Sequence, residues 1–345
     1  MPPYSISIAR LNAAAYLLTA AALCFVLGLH LLPTLFAGLL VYSLVTALAP
    51  TLQRHVPGVH AHWLVVALLA ILVVGFFTLA IAAGVDFLTS KNGNPSAFFE
   101  RLTPLIERAH AQLPQFIVDR LPDDSADMRT AVMDWLGEHT AQVQVAGKQA
   151  VRVVVQLIIG IVLGVLLALH GAHDRPPGGP LSVALNARAA HLVHAFRDVV
   201  FAQIKISALN TLLTGGFLLI GLPLFGVTLP LAKTLVVLTF VVGLLPVIGN
   251  LISNTLIFVV ALSHSLFVAI AALAFLVVIH KLEYFLSARL LGMRIQAFAW
   301  ELLIAMLVME TLFGTAGLIA APIYYAYVKR ELREAGLITA ETVAR

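Results

Sequence analysis

Charge is what this chain has least of. Charged residues fill 11% of its 345 positions, where soluble domains carry roughly 25%. So few charges cannot cover a water-facing surface, which excludes a soluble globular protein. Cysteine is nearly absent too. The one thiol, Cys24, cannot form an intrachain disulfide, and inside an apolar segment it acts as a small hydrophobe. There is no HExxH and no Gly-rich loop followed by Lys-Ser/Thr, so zinc proteolysis and ATP hydrolysis lack their residues. Energy for any work by this chain must therefore come from a gradient, or the protein is passive. No cofactor and no metal site is implied: His60-x-His62 and His191-x-x-His194 have no carboxylate or cysteine cluster to complete one, and they read as interfacial histidines.

What the chain has is hydrophobic length. Apolar residues make up 61% of it, mean hydropathy is +0.99, and several runs reach the roughly 20 residues that cross a bilayer core. The expectation is an all-α polytopic membrane protein with about six spans, two re-entrant helical hairpins and a small helical extramembrane insert. The first five spans are read at Leu11–Leu32, Thr34–Ala49, Trp63–Leu88, Val151–Leu169 and Ile204–Leu222. Pro33 and Pro50 bracket the second, which makes the first two a tight hairpin. The first run exceeds the ~7–15 apolar residues of a signal peptide, so it reads as a retained span.

The domain reading is spans in 1–89, an insert in 90–148, a fourth span with cytoplasmic linker in 149–203, a transport core in 204–330 and a tail in 331–345. Within the insert, Phe98, Leu102, Leu105, Ala109 and Leu113 recur at helical spacing, as do Met128, Val132 and Trp135. A folded cap explains these, and a ligand-binding domain is the sharper alternative. After the linker GAHDRPPGGP, the stretch LNARAAHLVHAFRDVV reads as an amphipathic helix on the inner surface. Arg10 and Arg54 around the first hairpin place the N-terminus in the cytoplasm, Arg175, Arg188 and Arg197 return the 171–203 loop there, and Lys329, Arg330 and Arg333 place the C-terminus on the same side. The net charge of +4 therefore reports membrane orientation, and no nucleic-acid partner is implied.

Two apolar runs are broken. GLLPVIGNLISNTLIF holds a proline, two glycines and several polar residues in a stretch without charge from Thr234 to Ser263. That stretch is too long for one crossing of about 20 residues and too short for two. A hairpin fits, with Pro246 and Gly249 making the turn. Backbone groups freed there must face protein or a wet cavity, because lipid offers no partner. Asn250, Ser253, Asn254 and Thr255 lie at the same depth. The second broken run, Leu302–Val328, contains ETLFGTAGLIAAP with Gly314, Gly317 and Pro322. As a hairpin from the opposite face it keeps Arg289 and Arg294, beyond a span of about Leu266–Phe285, on the cytoplasmic side. Paired interrupted segments point to a transporter's binding site.

Glu310 is ionisable at membrane depth, a functional candidate by default, with a structural ion pair as the plainer reading. Glu283 is a possible gate or an interfacial anchor. Glu301 and Lys233 read as snorkelling ends. Asn210, Thr211, Thr214 and Gly215–Gly216 read as helix packing or as a cavity wall. The expected substrate set is Asn250, Ser253, Asn254, Thr255, Glu310, Gly314 and Gly317, lying between the two hairpin tips, with Glu283 and Glu310 for gating or ion coupling.

At these residues the chain resembles the autoinducer-2 exporter family of bacterial membrane proteins. LLPVIGNLI is similar to that family's Pro-x-x-Gly turn, HKLEYFLSARLLG to its segment with a glutamate at a span end, and ETLFGTAGLIAAP to its Phe-Gly-x-x-Gly…Ala-Pro signature. HLLPTLFAGLLVYSLVTALAP resembles its early Pro-flanked span. The resemblance implies an inner-membrane secondary transporter that exports a small polar solute by elevator-type movement as a homo-oligomer, a pentamer among the forms implied. The chain departs from the family pattern at Asn250, Ser253 and Leu256, which makes its first tip more polar. Three rivals stand beside this reading: a cation/proton antiporter using a proton or sodium gradient, a non-transporting scaffold or regulator of envelope assembly, and an intramembrane hydrolase with Ser253 as nucleophile.

Overall fold

A computed structural model of the chain describes residues 8–54, 60–71, 137–171, 178–244, 248–262, 264–295 and 297–338, with a few isolated positions besides. The Ser90–Lys148 insert lies mostly outside the described residues, its last stretch, 137–148, excepted; the third span beyond Ile71, apart from two positions, and Pro246 also lie outside them. The backbone at Glu283 is described, but its side chain is not.

The described elements are helical: α1 (Ile8–Gly28), α2 (Leu32–Gln53), α3 (His60–Ile71), α4 (Thr140–Gly171), α5 (Pro180–Gly216), α6 (Ala232–Gly243), α7 (Ile248–Leu262), α8 (Leu266–Ile295) and α9 (Ala299–Glu334). Among the described residues, α1, α2, α4, α5 and, counted end to end across a kink at Gly314, α9 are long and apolar enough to cross a membrane. Several boundaries differ from the hydropathy reading: α1 ends at Gly28 rather than Leu32, and α8 runs on past Phe285 to Ile295. Pro50 sits inside α2 rather than ending it. Helix α4 begins at Thr140, well before its apolar run. The expected surface helix and the fifth span form one helix, α5, because no breaker separates Val200 from Ile204.

The chain divides into two compact units. The first combines residues 1–71, 150–202 and 287–345. Its core packs Leu23, Leu27, Leu192, Phe196, Ile323 and Tyr327. The turn between α1 and α2 passes through His30, whose φ of 57° is the left-handed value that ends a helix. Its carbonyls are not left bare: the Gln156 amide donates to His30 O at 3.0 Å, and Arg152 donates to Leu29 O at 3.3 Å. Helices α2 and α4 cross at Gly38, Gly160 and Gly164. A Cβ at Gly164 would lie 2.5 Å from Gly38 O, and one at Gly160 would overlap Thr34 O. Small residues at such a crossing let two backbones approach, the usual device where no hydrophobic effect drives helices together in lipid.

The second unit combines residues 72–149 and 203–286. Leu218, Leu222, Leu235, Ile257, Ala261 and Leu276 form its core. Past Gly216 the backbone widens into a π-helical turn, Phe217–Gly221, before a last helical turn, Leu222–Leu224. Phe217 stacks on Phe275 with ring centroids 4.0 Å apart. Single π turns within α-helices concentrate at functional sites.

Candidate functional site

Both broken runs reverse the chain. Helices α6 and α7 are 12 and 15 residues long, each short of the roughly 20 that span a bilayer core. At their junction a Cβ on Gly249 would collide with Val242 O and lie 3.1 Å from Gly243 Cα. Only glycine permits that approach of two antiparallel backbones.

The second reversal is at Gly314, where φ is 63° and ψ is −148°, values closed to residues with a Cβ. Helix α9 is therefore two legs joined at this residue. Two pairings across the turn show it, and a cap at the start of the first leg completes the arrangement. A Cβ on Gly317 would collide with Met309 O. Lys329 Nζ meets Glu301 Oε2 at 2.7 Å. Glu301 also accepts from the Phe298 N–H at 2.9 Å, which caps the start of the first leg. Glu301 thus closes the base of the hairpin and is not a snorkelling end; the charges are consumed by each other.

A ladder of polar side chains on α5 holds the first hairpin. Gln203, Ser207, Asn210 and Thr214 are spaced by 4, 3 and 4, one face of a helix. Gln203 donates to Gly243 O at 2.8 Å, and Ser207 donates to Phe240 O at 2.8 Å. These are carbonyls at the C-terminal end of α6, which have no partner within their own helix. Asn210 Nδ2 donates to Asn250 Oδ1 at 3.3 Å, and Thr214 donates to Asn210 Oδ1 at 3.5 Å. The ladder therefore answers the backbone problem created by the break, from a neighbouring helix.

Of the expected site residues, Asn250 joins this ladder. Ser253 is 2% exposed, and its Oγ has no hydrogen-bond partner. No base is bonded to it, as nucleophilic activation would require. Asn254 is half-buried. Thr255 is exposed and its hydroxyl turns back to Leu251 O at 2.8 Å. Thr211 also carries a buried hydroxyl without a partner. On the second hairpin, Glu310 is exposed, Gly314 is exposed at the turn and Gly317 is buried between the legs.

Sequence reasoning missed Gln203 and Ser207. Their signal is present in the period of the ladder, but Gln203 lies at the edge of the expected span and Ser207 is a single small polar residue in an apolar run. It also missed a buried charge cluster. Glu331 is 5% exposed, with Arg188 Nη1 at 2.5 Å from Oε2 and His191 Nδ1 at 3.1 Å from Oε1. The Arg188 guanidinium lies 4.1 Å over the Tyr16 ring, and Arg330 reaches Asp198 at 3.7 Å. Isolated charges near a chain end give no hint of this pairing across 143 residues.

No curated protein and no solved structure matches the chain. The model of the AI-2E family transporter matches residues 14–335, nearly its whole length. With helices long and apolar enough to span a membrane and paired breaks in its apolar runs, the chain is a multi-pass membrane transporter and belongs to the AI-2E transporter family.

Proposed function

We propose that this transporter is a secondary one, gradient-driven or passive, that exports a small polar solute or ion by elevator-like alternating access. The observation that carries the proposal is the polar first hairpin. It is held by neutral side chains, and the buried Ser253 hydroxyl is left without a partner. Leaving such a group unpaired costs about 1–3 kcal/mol, which a bound ligand would offset. Asn250, Ser253, Asn254 and Thr255 supply substrate contacts in this reading. On the second hairpin, taken by itself, Glu310 and the Gly314–Gly317 backbone are the proposed substrate-binding groups, and both hairpins re-enter the membrane. Glu283 or Glu310 couples a proton or cation. The protein sits in a bacterial inner membrane with both termini cytoplasmic, as a homo-oligomer, with a pentamer as the form to test.

Flux into proteoliposomes, with and without a proton or sodium gradient, tests this. Labelled sodium and a panel of small polar solutes are the probes, and Asn250→Ala and Glu310→Gln are the variants. Gradient-driven flux lost in both variants, with expression and oligomer size intact, supports the reading. Sodium or lithium flux that follows pH and depends on Glu310 or Glu283 selects cation/proton exchange. No flux for any probe favours the scaffold reading, in which deleting the 90–148 insert is the damaging change.

A further inference from the structure

We propose that α5 and α9 form a binding site for the phosphate of an anionic phospholipid headgroup, built from Arg197 and Arg330 with His194 beside them. All of its residues belong to the first unit, and it does not depend on the transport cycle proposed above.

Both arginines stand at the ends of apolar runs. Arg197 comes seven residues before the run that starts at Ile204, and Arg330 two residues after the one that ends at Val328. Charged side chains in such places lay their stems along apolar surface and hold their heads at headgroup level. On α5, His194, Arg197 and Phe201 are spaced by 3 and 4, one face of a helix. His194 is exposed there, and the other two are half-buried. Arg330 arrives from α9, with its Nη1 3.7 Å from Asp198 Oδ2. The charges of Arg330 and Arg197 both act on the His194 imidazole, so the three groups converge.

Charge balance sets this cluster apart from its neighbours. Arg188 is held by Glu331 and Lys329 by Glu301, one carboxylate to each cation at hydrogen-bond distance. Arg197 and Arg330 have only Asp198 between them. Its 3.7 Å from Arg330 exceeds the roughly 2.7–2.9 Å of a charge-assisted hydrogen bond. Arg197 has no carboxylate within ion-pair distance among the described residues. Arg330 Nε is buried and donates to no group, a donor costly to leave unmade. Arg188 Nε also lacks an acceptor, but Glu331 and the Tyr16 ring close that guanidinium in. The Arg330 side chain is 34% exposed and open to a ligand. Two arginines against one aspartate leave a net positive charge, which excludes a cation and selects an anion. The planar guanidinium fork fits the oxygens of a phosphate in bidentate fashion. At headgroup depth the anion in supply is the lipid's own phosphodiester, and basic groups between membrane helices take such headgroups. Phe201, one turn nearer the span, offers an aromatic ring at the level where the acyl chains begin.

Native mass spectrometry of the full-length protein tests the inference, with phosphatidylglycerol and phosphatidylcholine supplied in equal amounts. Wild type is expected to retain phosphatidylglycerol in preference. Arg197→Gln strands no carboxylate and is expected to lower that retention about fivefold, the scale of one arginine at an anionic surface. Arg330→Gln should do the same. Asp198→Asn removes the competing negative charge and should raise retention. Arg54→Gln, at an exposed arginine ending α2 in the same unit, is the control and should leave it unchanged. Thermal unfolding in nanodiscs of phosphatidylcholine separates the sources of phosphate. Phosphatidylglycerol added to the bilayer should raise the melting temperature, while inorganic phosphate or glycerol phosphate in solution should not. A rise with the soluble phosphates overturns the lipid assignment and leaves a free-phosphate site. Equal retention by wild type and Arg197→Gln overturns the site. An equal loss in Arg54→Gln also overturns it, because diffuse attraction of lipid to surface charge then explains the binding.

Discussion

Glu301 and Lys329 lie 28 residues apart in the chain and meet at 2.7 Å. In a straight α-helix that separation is about 42 Å, so the ion pair by itself requires the apolar run to fold back. The midpoint of the pair falls beside Gly314, the residue whose backbone conformation only glycine tolerates. The hairpin is thus fixed twice, by a hinge at its turn and a clasp at its base.

The clasp is expected to contribute measurably. Both side chains are mostly buried, at 17% and 12% exposure, so Glu301→Gln should lower stability by about 1.5–3 kcal/mol, the scale of a hydrogen bond to a charged group. The exchanged pair Glu301→Lys with Lys329→Glu should recover part of that loss. A double-mutant cycle on thermal unfolding in detergent reads the coupling, and zero coupling would show the contact to be incidental.

Gly314→Ala forces a Cβ into a conformation that costs of order 1–3 kcal/mol. The open space around Gly314 means strain, not collision, is the cause. Spin labels at Leu303 and Val328, on opposite legs, should report a single short distance in wild type. A second, longer population is expected in the variant.

Removing the ladder should loosen the first hairpin before it loosens anything else. Gln203→Ala and Ser207→Ala each leave one α6 carbonyl unpaired, at about 1–3 kcal/mol apiece. Faster hydrogen exchange across 232–262, with 8–53 unchanged, is the expected pattern. Lys205→Ala, on an exposed position of the same helix, should change neither region.

Gly160→Leu should be the most damaging single change in the α2–α4 crossing. The added side chain meets Thr34 O and the Ala37 Cβ with no room to rotate away. Loss of the folded protein from membranes, or a steep fall in its melting temperature, is expected. Leu substituted at the uncrowded Gly147 should be tolerated far better.

Glu331→Ala strands the Arg188 guanidinium in a buried position, a loss of about 3–5 kcal/mol where a partner is removed from a buried pair. Replacing Arg188, His191 and Glu331 together by apolar residues of similar volume should restore much of the stability. Melting temperatures of the single and triple variants separate these outcomes.

Much of this protein is legible in its amino-acid order alone. Hydropathy and the shortage of charge determine a helical membrane chain, because apolar length and backbone pairing in lipid leave few alternatives. Glycine inside the two apolar runs marks both reversals, Gly249 at the first and Gly314 at the second, because it acts on its own backbone; Pro322, expected as a further break, lies inside the second leg. Asn250 and Ser253 stand out as polar residues in an uncharged stretch for the same local reason.

What the sequence could not decide is which polar group meets which. Gln203 with Gly243, Glu301 with Lys329 and Arg188 with Glu331 join residues 40, 28 and 143 positions apart. Periodicity describes one helix face and carries no information about the face opposite. Read along the chain, Glu301 is a boundary charge and Glu331 the edge of a tail; only their partners give them a role. Tertiary structure assigned those pairings, because an ion or a carbonyl withdrawn from water must find its partner wherever the fold brings one.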